Sequence, residues 1–194
     1  ADHLHRRTLL RAELGISEVT PMLLFVGSGF RTKGLDRALQ ALAGLPGDAR
    51  LFVVGEDKAP PYQRQARRLG LEGRVHFMGG RDDVPSWLWA ADLLVHPAYA
   101  ENTGTVLLEA AIAGLPVLTT SACGYADYIR DAGLGRVLDE PTAESLVAAA
   151  RELLSIDRPA WWEKAARFAE QADIYSLVDH AVDAIEGEPL GAPR

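Results

Sequence analysis

Met22-Leu23-Leu24-Phe25-Val26-Gly27-Ser28-Gly29-Phe30-Arg31-Thr32-Lys33-Gly34-Leu35 decides the fold: five apolar residues run into a glycine-rich loop, and a helix-period stretch follows from Gly34. Unbroken rather than alternating apolarity marks a strand covered on both faces, the condition inside a parallel sheet. Outward from this unit the pattern recurs. Strand-length runs stand at Leu51-Phe52-Val53-Val54, Val75-His76-Phe77-Met78, Asp92-Leu93-Leu94-Val95-His96 and Pro116-Val117-Leu118-Thr119, with a weaker one at Gly135-Arg136-Val137-Leu138. Helical stretches fall near 34–44, 61–70, 83–91, 104–114, 124–132 and 142–155, and Gly70, Gly114 and Gly133 stand where C-terminal caps belong. Repeating β-helix-β units imply an α/β fold, a Rossmann-like doubly wound parallel sheet of about six strands flanked by helices.

The ends differ from this middle. Residues 1–15 read as a short basic helix, with Arg6, Arg7 and Arg11 opposed to Leu4, Leu9, Leu10 and Leu14. An amphipathic cover on the core accounts for it, as does a linker from a preceding domain. Residues 16–158 make the Rossmann-like domain, 159–186 one or two further helices, and 187–194 a Gly/Pro-rich tail expected to be disordered. The 194 residues are 48% hydrophobic, enough for a real core. With 20 Lys+Arg against 27 Asp+Glu, the net charge of −7 has the wrong sign for gripping a nucleic-acid backbone. Cys123 is the single cysteine, which excludes an internal disulfide and a Cys/His zinc cluster and points to reducing cytoplasm. Ala1-Asp2-His3-Leu4-His5 is no signal peptide, and no apolar stretch approaches the roughly 18–20 residues of a membrane span, so any membrane association is expected to be peripheral.

In such a sheet ligands bind beyond the carboxyl ends of the strands where the order reverses, between the first and fourth strands of the order 3-2-1-4-5-6. That nominates two loops, Gly27 to Gly34 and Pro97-Ala98-Tyr99-Ala100-Glu101-Asn102-Thr103-Gly104. The first resembles a phosphate-binding turn, with Arg31 and Lys33 adding charge. It is not the dinucleotide fingerprint, because Thr32 stands where that motif needs Gly or Ala, nor a Walker loop, because Leu35 follows Gly34. In the second loop Glu101 and Glu109 flank a helix start at Gly104, which separates their carboxylates by at least roughly 12 Å. That exceeds the ~5–9.5 Å of a glycosidase pair and suits gripping the two ends of a long ligand. A nucleotide-sugar has hydroxyls at both ends and a diphosphate between, facing the amides around Thr105 to Leu107. The bland alternatives are a solvated loop acid for Glu101 and an exposed helix charge for Glu109. The second is weakened by the apolar neighbours Leu107, Leu108, Ala110, Ala111 and Ile112.

Together with Val53-Val54-Gly55, Phe77-x-Gly79, Ala91-Asp92-Leu93, Pro97 and Ala113-Gly114-Leu115-Pro116-Val117, these residues resemble the retaining sugar-nucleotide glycosyltransferases of group 1, with two Rossmann domains in the GT-B fold. The likeness runs from about residue 20 to about residue 140. Phe25-Val26-Gly27-Ser28-Gly29-Phe30, Asp57-Lys58, Gly80-Arg81-x-Asp83-Val84, Leu93-x-Val95-His96-Pro97-Ala98-Tyr99 and Cys123-Gly124-Tyr125-Ala126 look like the branch that glucosylates bacterial lipopolysaccharide core. The resemblance implies UDP-glucose as donor, a heptose of the inner core as acceptor, retention of configuration, and neither metal nor cofactor. It implies that Glu101 contacts the transferred sugar, Glu109 holds the ribose, Lys33 neutralises the diphosphate, and Gly80-Arg81 present backbone groups to uracil. The implied donor-binding set is Gly27, Ser28, Gly29, Arg31, Lys33, Gly80, Arg81, Glu101, Asn102, Thr103, Gly104, Thr105, Val106 and Glu109, with Glu101 and Lys33 carrying catalysis. Ser28 departs from the arginine many relatives carry there, and Arg31 is the expected substitute. The chain is then the donor half, with residues 174–186 crossing back towards an acceptor-binding half, and the complete protein is expected in the cytoplasm, peripheral on the inner membrane.

Other residues read more plainly. Asp82-Asp83 is a helix N-cap rather than a metal motif. His96, close to the site, reads as a packed histidine, with contact to the donor as the alternative; Cys123 is a small residue at a helix start, and Trp87, Trp89, Trp161 and Trp162 are core or domain contacts. The competing functions are another UDP-hexose transferase of surface polysaccharide synthesis, a non-catalytic nucleotide-binding module, and a dehydrogenase, the last disfavoured at Thr32.

Overall fold

Six parallel strands, β1 (Met22–Val26), β2 (Arg50–Val54), β3 (Val75–Gly79), β4 (Leu93–His96), β5 (Val117–Thr120) and β6 (Gly135–Leu138), pair in the order β3-β2-β1-β4-β5-β6. They belong to a computed structural model that describes residues 2–171. The order is the one expected, and it reverses between β1 and β4. Met22 to Phe25 and Leu93 to Val95 are wholly buried, as central strands covered on both faces must be.

The helices are α1 (Asp2–Glu13), α2 (Leu35–Ala43), α3 (Pro60–Arg68), α4 (Val84–Ala90), α5 (Thr105–Ile112), α6 (Ala126–Ala132), α7 (Ala143–Leu154) and α8 (Arg158–Gln171). Their contacts sort into two groups, α2 with α3 and α7, and α5 with α4, α6 and α8, while α1 lies on α4. These groups form the layers on either side of the sheet. Leu35, Leu39 and Leu42 put α2 into the core with no exposed surface. Truncating any of them to Ala removes packing on the order of 2–5 kcal/mol. Of the helices expected over 159–186, α8 is seen to Gln171; the remainder, including 174–186, and the tail 187–194 lie outside the described residues. Among the described residues no helix is long and apolar enough to cross a membrane.

Two local expectations need correction. The buried face of α1 is its basic one: Arg7 and Arg11 are buried, whereas Leu4 and Leu9 are about half exposed, Leu10 joins the core and Leu14, just past the helix, packs against it. The cause lies in α4, whose last carbonyls have no partner within the helix. Arg7 Nη1 donates to the Ala90 carbonyl at 2.6 Å, Arg11 Nη1 to the same oxygen at 2.8 Å, and Arg7 Nη2 to Asp92 at 2.9 Å. Arg158 also pairs with Asp92, whose other oxygen accepts the Met22 N–H at 2.7 Å. Burial lowers the Arg11 pKa to about 10, with Arg7 adding to the fall, and the side chain stays charged at neutral pH. Second, Asp83 occupies the N-cap position of α4 but its side chain does not cap. It is held instead by Arg81 at 2.9 and 3.0 Å and by the Trp87 indole N–H at 3.2 Å.

Candidate functional site

The loops after β1 and β4 meet at the carboxyl rim of the sheet, and glycine makes the meeting possible. Gly34 sits at φ 76, a left-handed backbone, and a side chain there would strike the Pro97 carbonyl. Thr32 O accepts N–H groups from Tyr99 at 2.8 Å and Ala100 at 3.3 Å, and Arg37 donates to the Pro97 and Ala98 carbonyls at 3.1 Å each. Below, Phe30 is buried in the core and its N–H is held by Asp57 Oδ2 at 2.8 Å. The loop is thus pinned at its middle and its end, and Lys33 folds back over Gly27. A Cβ added to Gly27 would lie 2.7 Å from Lys33 Cδ and 2.8 Å from Cε.

So directed, the Lys33 ammonium pairs with the Glu101 carboxylate, 68 positions along the chain. Glu101 is fixed from the other side. Its N–H donates to Ala122 O at 3.2 Å, and it bridges Cys123, which precedes α6. Three amino acids further on, Gly104 at φ 72 opens α5 without a side-chain cap, so the positive end of the helix faces the same point. His96, at the end of β4, closes the floor, with Nε2 3.6 Å from Glu101 Oε2. His96 and Lys33 together hold the Glu101 pKa down to about 2 against the opposing effect of burial.

The result is a recess of 90 Å³ lined by Val26, Gly27, Lys33, His96, Glu101, Thr103, Gly104, Thr105 and Val106. Seven of these are expected donor-site residues; His96, read as packed, is fully buried and lines the recess as well. The other expected residues lie around it. Ser28 is exposed and accepts the Glu56 N–H at 3.3 Å. Gly29 turns the loop at φ 76, Gly80 sits against the Glu56 side chain, and Arg81 is engaged with Asp83. Asn102 is exposed, its carbonyl against Gly124. Arg31 does not reach the recess; it lines a separate hollow of 430 Å³ with Thr32, Asp36, Tyr62 and Tyr99. Glu109 is exposed, so its apolar neighbours did not draw it inward: Leu107, Leu108, Ala110 and Ala111 form the buried side of α5. The protein mass beside it nevertheless desolvates its carboxyl and raises the pKa.

A cavity of 370 Å³ at the opposite rim, lined by Pro21, Asp92, Pro116, Arg158 and Trp161 among others, holds none of the expected residues. The sequence places both loops at one switch point but carries no signal for the direct Lys33–Glu101 pair. Asp57 belongs to the Asp57-Lys58 motif, and its signal in the sequence is an acid just beyond the second strand, where it faces the first loop.

The chain belongs to the glycosyl transferases group 1 family, whose sequence profile matches residues 6–174. Among curated proteins it is 49% identical over 188 residues to the lipopolysaccharide glucosyltransferase WaaG of Escherichia coli K12, covering 93% of this chain and 50% of that protein. A crystal structure of WaaG, described as a glycosyltransferase involved in lipopolysaccharide biosynthesis, superposes with a TM-score of 0.85 at 48% identity, over 94% of this chain and 51% of that one. Anabaena HepE, crystallised with UDP, shares the fold at a TM-score of 0.79 and 24% identity, over 94% of this chain and 53% of that one. The chain therefore spans about half the length of these relatives.

Proposed function

We propose that this chain is the donor-binding half of a retaining glycosyltransferase that takes UDP-glucose and transfers glucose to a heptose of the lipopolysaccharide core. The observation that carries the reading is the Lys33–Glu101 pair, which joins the two switch-point loops beside the uncapped start of α5. The name and the 49% identity of the E. coli relative support the substrate class. A recess of 90 Å³ is far below the roughly 300–1,000 Å³ of a complete small-molecule site. The donor therefore lies across the rim, with its other wall supplied by an acceptor-binding half.

In this reading departure of UDP develops negative charge on the diphosphate. Lys33 and the first amides of α5 stabilise it, already oriented before the reaction. Glu101 accepts hydrogen bonds from the transferred glucose, and Glu109, outside the recess, takes the ribose hydroxyls. Gly80 and Arg81, at the end of β3, lie on the uracil side. The acceptor hydroxyl attacks from the face that UDP leaves, and no metal or cofactor takes part. The complete enzyme works in the cytoplasm, peripherally on the inner membrane where its lipid-linked acceptor is.

Calorimetric titration of this chain tests the assignment. UDP and UDP-glucose are expected to bind, and Lys33→Ala to weaken both by tenfold to a hundredfold, the worth of one charge-assisted hydrogen bond at about 1.5–3 kcal/mol. Glu101→Ala should spare UDP and abolish the extra affinity for UDP-glucose. No heat with either ligand at millimolar concentration contradicts the assignment.

A further inference from the structure

Strand β4 ends on a histidine with unspent chemistry. The His96 ring is fully buried and neither of its nitrogens has a hydrogen-bond partner, although buried polar groups are as a rule paired. It stacks on Phe25 of β1, ring centroids 6.2 Å apart at 22°. Behind it, Thr119 Oγ1 of β5 donates to the His96 carbonyl at 3.0 Å and lies 3.2 Å from Cys123 Sγ. On its open side the ring meets only the recess, where Lys33 and Glu101 stand. Nε2 is 3.6 Å from Glu101 Oε2, a few tenths of an ångström beyond a normal hydrogen bond.

Charge decides what this arrangement does. Lys33 pairs directly with Glu101, so His96 shares that carboxylate with the lysine from 3.6 Å. An incoming diphosphate carries more negative charge than one carboxylate and competes for the Lys33 ammonium, which reaches the recess from a loop. Glu101 then faces the ring alone. We propose that His96 is a positioning residue for the donor site: when the diphosphate draws Lys33 away, His96 Nε2 takes over the Glu101 carboxylate and keeps it ionised and aimed at the sugar. The proposal rests on the donor-site reading above. Burial opposes charge on this ring, yet Cys123 and Glu101 outweigh it and place its pKa above the ordinary value, with Lys33 the opposing charge. Withdrawing Lys33 pushes in the same direction.

Proton NMR of the His96 ring, assigned with His96→Gln, tests the hand-over in this chain through pH titrations without and with saturating UDP. The titration midpoint is expected to rise on UDP binding. Lys33→Met should raise it before any UDP is added, and UDP should then move it little. Glu101→Gln should remove most of the UDP-induced rise, separating the hand-over from the field of the diphosphate itself. His96→Gln, which keeps a donor, should retain more of the preference for UDP-glucose over UDP than His96→Phe. UDP binding with an unmoved midpoint, or a rise left intact in Glu101→Gln, overturns the hand-over while the donor site stands. No response of any resonance to UDP overturns both.

Discussion

Lys33 and Glu101 show at the scale of single residues how an ion pair is assembled by groups outside it. Gly27 leaves room for the lysine stem, Gly34 lets its loop abut Pro97, and Asp57 anchors the loop through the Phe30 amide. A pH dependence follows. The folded chain holds Glu101 at about 2, below the unfolded carboxylate near ~4.3, so the unfolded chain binds its proton more readily. The stabilisation is complete above that range and is lost as pH falls towards about 2. Urea unfolding between pH 7 and pH 3 should show the loss, and Lys33→Met should make it shallower, with His96 remaining as the other partner. Much of this site was legible in the sequence. The loops after the first and fourth strands, one glycine-rich and one carrying Glu101, locate the candidate site from topology alone. His96 was legible only as one of two alternatives, because one position in an apolar run does not reveal whether a buried ring meets core or recess. The course of Arg31 was not legible: glycines at 29 and 34, both at positive φ, direct Lys33 inward while Arg31 lines the hollow outside.

At the scale of elements, α1 and α2 mark the limits of periodicity as evidence. Arg7 and Arg11 repeat at helical spacing as well as the leucines do, so the pattern established a two-faced helix without saying which face is buried. The decision came from elsewhere, in the carbonyls ending α4 and the carboxylate of Asp92. Asp92→Ala leaves Arg7, Arg11 and Arg158 without their shared anion, and should cost about 3–5 kcal/mol in denaturant unfolding, as does breaking a buried pair from one side. At the start of α2, Gly34→Ala must force an L-residue into left-handed backbone and push against Pro97. A loss of at least about 1–2 kcal/mol is expected, together with weaker UDP binding, because the two loops separate. A variant as stable as the parent would show that the loops do not depend on that contact.

The whole molecule follows from the strand order. A sheet that winds outward in both directions from β1 and β4 leaves its two central carboxyl ends uncovered, and Gly27, Lys33, Glu101 and Gly104 meet there. The order was legible because every crossover contains a helix and the apolar runs are continuous. That the donor site is shared with a second wall is an expectation of the family resemblance alone, since no residue pattern reveals such a wall. This chain alone is expected to bind donor and to transfer no glucose to lipopolysaccharide core acceptor; appreciable transfer would show that the acceptor contacts lie within it. The most direct measurement is a crystal structure of the chain with UDP-glucose. Diphosphate oxygens are expected on Lys33 Nζ and the first amides of α5, and a glucose hydroxyl on Glu101. Nucleotide seated in the hollow beside Arg31, or in the cavity by Asp92 and Trp161, would contradict that placement.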